Sequence, residues 1–255
     1  MASVLIILPT YNERENLRTV TPLLREVAPH AHVLIVDDNS PDGTGALADE
    51  LAARDPAQAI HVLHRTVKNG LGRAYVEGFA WALARPYERI VQMDADLSHH
   101  PRYLPDLLAA SQTHDLVLGS RYVTGGGTAN WGVTRRLLSR GGSLYARTIL
   151  GLGVRDLTGG FRCWQRHVLE DINLPTMRSN GYSFMIETLY RARLRGHSVK
   201  EVPIIFADRV EGQSKMSKKI IVEAMTMVWK LRAQAPAIRG ARPGAAISAS
   251  TASAS

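Results

Sequence analysis

The chain has 255 residues, 45% of them hydrophobic, with 31 Lys and Arg against 23 Asp and Glu and a single cysteine. That length suits one large α/β domain or two small ones with a substantial core. One cysteine excludes an internal disulfide, no C-x-x-C or Cys/His cluster suggests zinc, and the net charge of +8 calls for an anionic partner: nucleic acid, a lipid surface or a phosphorylated substrate.

In chain order, VLIIL (Val4–Leu8) reads as a buried strand ending at Pro9, and Leu17, Val20, Leu24 and Val27 mark a helix over Asn16–Val27. The opening MASVLIILPTYNE lacks a basic n-region and a cleavage site, so it is not read as a signal peptide. HVLIVDD (His32–Asp38) is a second strand, followed by the turn NSPDGT and a helix over Ala46–Arg54. IHVLH (Ile60–His64) is a third, before the glycines of KNGLGR and the helix AYVEGFAWALA. RIVQM is the fourth, before YLPDLLAAS, and DLVLGSRY (Asp115–Tyr122) the fifth, before TGGGT.

Further on, Thr134–Leu150 reads as a helix interrupted by Gly141 and Gly142, DLTGGFRCW as a tight turn entering a packed segment, and Ser179–His197 as a helix stopped by Gly196. Val199–Arg209 is a strand and EGQSKMSKK a loop. IIVEAMTMVWKLRAQ closes a domain of residues 1–235, and the Ala/Ser/Gly-rich 236–255 reads as a disordered tail. Alternating β and α units with continuous apolar strands predict an α/β fold, a mostly parallel sheet covered on both faces. Ligands of such sheets lie beyond the carboxyl ends of the strands. PTYNE, VDDNSPDGT, MDADLSHHP and GSRY all follow such ends.

Asp94 and Asp96 in RIVQMDADLSHHP stand two apart where the fourth strand runs out. Side chains at i and i+2 of a strand share a face. Two carboxylates about 5 Å apart at an effective dielectric of 20 repel by roughly 3 kcal/mol, a cost relieved by a cation between them or by a proton. An isolated D-x-D is equally explained as two solvated aspartates in a turn. Asp37 and Asp38 end strand two, where an acid can accept hydrogen bonds from a ribose or base, or cap a turn with Asn39, Ser40 and Asp42. No G-x-G-x-x-G follows strand one, which argues against a dinucleotide cofactor. Asp94 and Asp96 offer hard oxygens suited to Mg²⁺ or Mn²⁺ beside a diphosphate. Arg121, with Arg209 and Lys215, could supply positive charge there. From Arg121 to Arg155 no acidic residue occurs.

Together LPTYNERENL, VDDNSPDGT, NGLGRAYVEGF, MDADLSHHP, LGSRY, LTGGFR and FADRVEGQSKM resemble the inverting glycosyltransferases of family two, and among them the polyprenol (dolichol) phosphate mannose synthases of the type lacking transmembrane helices. The resemblance spans roughly residues 3 to 235 in order. It implies a GT-A fold, GDP-mannose as donor, a divalent metal, and polyprenyl phosphate β-mannose as product. It places Pro9, Tyr11, Glu13, Val36 and Asp38 around the nucleotide, Asp94, the Ala95 backbone and Asp96 on the metal and diphosphate, and Arg121, Arg209 and Lys215 on phosphates or sugar. Some members carry Gln where Ser98 stands here.

An ionised polyprenyl phosphate is already a nucleophile, so no general base is expected; catalysis would come from in-line positioning and from stabilising the departing GDP. Arg135, Arg136 and Arg140, with Arg121 shared, are candidates for the acceptor phosphate, or else a solvated helix face. The glycines 125–127 and the loop 211–217 would permit closure over the donor. Ile220, Ile221, Met225, Met227, Val228 and Leu231 form an apolar stripe flanked by Lys218, Lys219, Lys230 and Arg232, fit for a membrane surface, a membrane subunit, or the core. The expected location is cytoplasmic, peripheral at the cytoplasmic membrane face, for no run of 18 apolar residues occurs. Rival readings are a UDP-sugar transferase acting on polyprenyl phosphate, a polysaccharide synthase (its downstream Q-x-x-R-W is missing), or a non-catalytic nucleotide-sugar or nucleic-acid binder. No nucleic-acid motif is present.

Overall fold

The computed structural model describes residues 3–177, 179–207 and 218–240, with side chains from 225 onward in the last stretch. Seven strands form one sheet in the order β3-β2-β1-β4-β7-β5-β8. They are β1 (Val4–Thr10), β2 (His32–Asp37), β3 (Ile60–His64), β4 (Arg89–Gln92), β5 (Leu116–Ser120), β7 (Arg162–Gln165) and β8 (Val199–Pro203). A second sheet pairs β6 (Gly127–Ala129) with β9 (Ile205–Ala207). Every pairing in the main sheet is parallel except those of β7, which runs antiparallel between β4 and β5.

Period-two alternation divides β1 between two cores. Leu5 and Ile7 join one, with Tyr75, Phe79, Trp164 and Phe184; Ile6 and Leu8 join the other, with Leu17, Val20, Val33 and Ile35. All four β1 side chains are fully buried, each stabilising the fold by about 1.5–3 kcal/mol. The first core lies under α3 (Leu71–Leu83), α6 (Arg166–Asp171), α7 (Gly181–Leu194) and α8 (Lys218–Gly240); the second lies under α1 (Arg14–Val27), α2 (Thr44–Arg54) and α4 (Leu104–Ala110). The mostly parallel, doubly covered sheet expected from the sequence is the one observed.

Three local readings are corrected and one is sharpened. The glycines 141 and 142 do not interrupt α5 (Val133–Leu150), which is continuous; each costs about 1 kcal/mol against alanine, and the buried Ser143, Ala146 and Leu150 hold that helix down. The packed segment expected after the DLTGG turn is the strand β7, with Cys163 opposite both Val91 and Val117. The single strand expected over Val199–Arg209 divides at Ile204, where its neighbour β5 ends at Ser120 and pairing passes to β6; Asp208 and Arg209 lie outside the described residues. Ile204 instead bonds in both directions, its amide donating to Ser120 O and its carbonyl accepting from Gly127 N, at 3.0 Å each.

The last helix runs five residues past the expected boundary, through Pro236 to Gly240. Val228, Leu231 and Ala235 anchor it in the core, and Arg195 donates to the Arg239 carbonyl at 3.4 Å. Those contacts offset the hydrogen bond that proline removes. Residues 241–255 lie outside the described residues. Of the apolar stripe expected on this helix, Val228 and Leu231 are core, Met227 is partly buried against them, Met225 is exposed, and the side chains of Ile220 and Ile221 lie outside the described residues; Trp229, beside the stripe, is exposed.

Candidate active site

The strand ends converge as expected, but Asp94 and Asp96 are not in a strand. β4 stops at Gln92, and the doublet sits in a bend where Leu97 takes a φ of 61°. The shared-face rule for strands therefore does not orient this pair; surrounding side chains do. Tyr75, buried beneath it on α3, donates from Oη to Asp94 Oδ1 at 3.2 Å, and burial together with Asp94 pushes its phenol pKa far up, keeping it a donor. The amide of Asp94 donates to His99 Nδ1 at 3.0 Å. His99 is buried against Phe161 and Phe206, which lowers its pKa despite the two aspartates. Ser98 donates to Asp96 Oδ1 through its amide (3.1 Å) and its hydroxyl (2.5 Å). Ser98 thus braces Asp96.

The doublet suits a hard divalent cation. The Asp94 side chain is 25% exposed, while Asp96 is buried, so the pair opens to solvent on one side only. Gly160 keeps that space clear: a Cβ there would lie 3.2 Å from His99 Cε1 and 3.7 Å from Asp94 Oδ2. Two carboxylates with an open side match oxygen-ligated Mg²⁺ or Mn²⁺.

Beside β1 and β2, Pro9 pairs with Val36 across the sheet. Tyr11 lies under Lys68 Nζ, 3.0 Å from its ring centroid. Glu13 accepts from Asn16 Nδ2 at 2.6 Å, and its amide donates to Thr44 Oγ1 at 3.0 Å. Asp37 is taken up locally by Ser40, whose amide and hydroxyl donate to it at 3.2 and 2.6 Å. Asp42 caps the start of α2 through the Thr44 amide and hydroxyl. Asp38 is different. It is buried against Arg65, which donates to it through Nη1 and also bonds Asn69 and Glu77. Burial raises the Asp38 pKa and Arg65 opposes that rise.

Across the site, Arg121 forks Asp156 and reaches Thr158 from Nη2 at 2.8 Å. The Asp156 loop is held by Glu201, which accepts from Ser120 Oγ (2.7 Å) and from the amides of Arg155 and Asp156 (2.9 Å each). The loop 123–126 returns so tightly that a Cβ at Gly126 would lie 2.5 Å from Ser120 O. Arg162, fully buried, binds neutral acceptors among the described residues: the carbonyls of Gly159, Met185 and Leu157 and the Thr188 hydroxyl. Burial pushes its pKa down to about 9.

The basic face begins at the first turns of α5. Arg135 packs over Trp131 at 4.1 Å, Arg136 Nη2 donates to Trp131 O at 3.1 Å, and Arg140 lies 5.7 Å from the Tyr122 ring. Arg121 also faces the Trp131 and Tyr122 rings, so those two aromatics join the α5 arginines to the buried one. Pro9, Tyr11, Glu13, Val36, Asp38, Asp94, Ala95, Asp96, Arg121, Arg135, Arg136 and Arg140 all stand at strand ends or in the segments that follow them. Arg209, Lys215 and the loop 211–217 lie outside the described residues.

Sequence reasoning missed Arg65, Lys68, Tyr75, His99, Trp131 and Asp156. Asp156 adjoins LTGGFR, and Arg65 directly follows strand three, so position gave a signal there. Tyr75 gave none, since one aromatic on an amphipathic helix reads as core.

Residues 5–172 match the family model described as Glycosyl transferase family 2. The chain is 50% identical over 239 residues to a polyprenol monophosphomannose synthase of Mycolicibacterium smegmatis, covering 92% of this chain and 90% of that protein. It is 48% identical over 238 residues to an undecaprenyl-phosphate mannosyltransferase of Micrococcus luteus, covering 92% and 97%. In fold it is similar to glucosyl-3-phosphoglycerate synthase of Mycobacterium tuberculosis, solved with Mn²⁺, uridine-diphosphate and glucosyl-3-phosphoglycerate: TM-score 0.62, 19% identity, 95% of this chain and 82% of that one. The chain belongs to glycosyl transferase family 2 and is a glycosyltransferase with a GT-A-like fold.

Proposed function

We propose that the enzyme transfers mannose from GDP-mannose to a polyprenyl phosphate with inversion, releasing GDP. The observation that carries this reading is the pairing, at one sheet edge, of an open aspartate doublet with a basic α5 face. One suits a metal-bound diphosphate and the other a second phosphate. The two relatives near 50% identity bear names that specify prenyl phosphate and mannose.

In this reading Asp38, fixed by Arg65, accepts from the nucleotide, with Pro9, Tyr11, Glu13 and Val36 around it. Asp94 and Asp96 hold the cation. That divalent ion, when bound, neutralises the diphosphate leaving group. Arg121, with Arg209 and Lys215, faces the donor phosphates or sugar, and Arg135, Arg136 and Arg140 receive the acceptor phosphate. The acceptor oxygen is already ionised, so the residues need only align it behind the anomeric carbon and exclude water. His99 Nδ1 is occupied by the Asp94 amide, which leaves it no part as a base at that atom.

The prenyl chain needs an apolar surface. Leu137, Leu138 and Leu144 on α5 and Met225 and Trp229 on α8 are exposed, and Tyr145 Oη, donating to Met225 O at 3.3 Å, ties the two helices together. Among the described residues no helix is long and apolar enough to cross a membrane. We place the protein peripherally, with this face on the bilayer.

Incubation with radiolabelled GDP-mannose, Mg²⁺ and a short polyprenyl phosphate, followed by chromatography of the organic phase, tests the reaction. Label appearing there only from UDP-glucose would overturn the donor assignment. No lipid-borne label from either donor would overturn the acceptor.

A further inference from the structure

A second cluster of ligating side chains lies at the opposite end of the sheet. Asp115 immediately precedes β5, His167 is the second residue of α6, and His197 sits in the turn between α7 and β8. One ligand atom from each lies within 4.8 Å of the others. We propose that Asp115, His167 and His197 form a binding site for a transition-metal ion of the zinc type, separate from the aspartate doublet and independent of the proposed reaction.

The donor set decides the class of metal. Two imidazoles and one carboxylate favour Zn²⁺, Co²⁺ or Ni²⁺, whereas Mg²⁺ and Ca²⁺ take all-oxygen sets. The carboxylate is anchored: the amide and hydroxyl of Ser198 both donate to Asp115 Oδ2 at 2.7 Å, which leaves Oδ1 toward His167. Those hydrogen bonds and His167 outweigh burial and hold the Asp115 pKa below the usual carboxylate range.

His197 is oriented in the same manner. Its Nε2 bonds Asp171 Oδ2 at 2.9 Å, so Nδ1 remains to ligate. A carboxylate bonded to the far nitrogen is the usual support of a metal-binding histidine. Arg195 lies 3.5 Å from Asp171 and balances its charge.

The His167–Asp115 pair needs little adjustment, whereas His197, within 4.8 Å, has to close in on it. Bonds of 2.0–2.1 Å in a tetrahedron put ligand atoms about 3.3 Å apart. His167 Nε2 and Asp115 Oδ1 stand at 3.0 Å, so they must spread by a few tenths of an ångström (~0.3 Å) as the metal takes the place of the shared proton. The two imidazole centroids are 5.4 Å apart. The His167 side chain is 56% exposed, giving the ion a path in and leaving a fourth position for water. Bound there, the metal would clasp α6, the start of β5 and the turn leading into the edge strand β8.

Zinc binding to the full chain, read by competition with a chromophoric chelator and by the shift in Tm, tests the site with Zn²⁺ alone as probe. The Asp94→Asn/Asp96→Asn protein is expected to bind one equivalent and to gain Tm. His167→Ala, at an exposed position, should fold normally and bind at least tenfold more weakly. Asp171→Asn should weaken binding by about 10–100-fold. Co²⁺ should give a visible d–d spectrum that His167→Ala loses. Failure of the doublet variant to bind an equivalent, or retention of unweakened binding by His167→Ala, overturns the assignment.

Discussion

Arg121 grips Asp156 through two parallel bonds, Nε to Oδ2 and Nη2 to Oδ1, both 2.7 Å, while the Arg121 amide donates to Oδ2 at 3.0 Å. Both residues are buried. The fork points the guanidinium at the Trp131 and Tyr122 rings and fixes where its positive charge sits. In the proposed reaction Arg121 would therefore act from a rigid position rather than as a mobile arm.

Replacing the acid tests that pair. Burial alone would raise the Asp156 pKa, but Arg121 holds it below the ordinary value. A depressed carboxylate contributes stability above its unfolded pKa and loses it as pH falls through the folded value. Asp156→Asn should therefore cost about 3–5 kcal/mol at pH 7, with the deficit narrowing below about pH 4. Urea unfolding at the two pH values is the measurement.

Asp38 has the opposite sign. Burial raises its pKa in the folded protein and Arg65 opposes the rise, so its ionised form burdens the fold as pH increases. Arg65→Met should destabilise most at neutral pH and less in acid, where Asp38 takes a proton. Adding Asp38→Asn should recover part of that stability. Donor KM should rise in the single variant.

The aspartate doublet gives a third outcome. Asp96→Asn keeps an acceptor for Ser98 and removes one of two like charges, so thermal stability should hold or increase. Turnover should drop by about 10²–10³-fold, the effect of losing one preorganised electrostatic partner. Full turnover of this variant in the presence of a chelator would refute the metal reading.

Arg136→Ala should raise the KM for polyprenyl phosphate by about tenfold or more, the worth of one hydrogen bond to a charged group. The KM for GDP-mannose should stay unchanged. Equal effects on both would remove Arg136 from the acceptor site.

Trp229→Glu places a charge on the exposed α5–α8 face without touching the core side chains Val228 and Leu231. Flotation with anionic liposomes should fall. Unchanged flotation would exclude this face as the membrane contact.

The parallel architecture was legible because continuous apolar runs such as Leu5–Leu8 can only be buried on both sides. Strand ends then marked the candidate site, since side chains released from a ladder there need other partners. Helix α8 shows the limit: its apolar residues could serve core or membrane, and only packing against α5 and α7 assigned Val228 to the core and left Trp229 exposed.

By itself, the amino-acid order determined the strand–helix alternation, the aspartate doublet and the basic run, because those depend on neighbours within a few residues. Tertiary structure alone decided that Arg65 supports Asp38, that Asp156 fixes Arg121 and that Tyr75 lies beneath Asp94. It also brought His167 and His197 to Asp115. These pairs are far apart in the chain, and their energies arise only once burial strips away water and leaves each charge or donor one partner within reach.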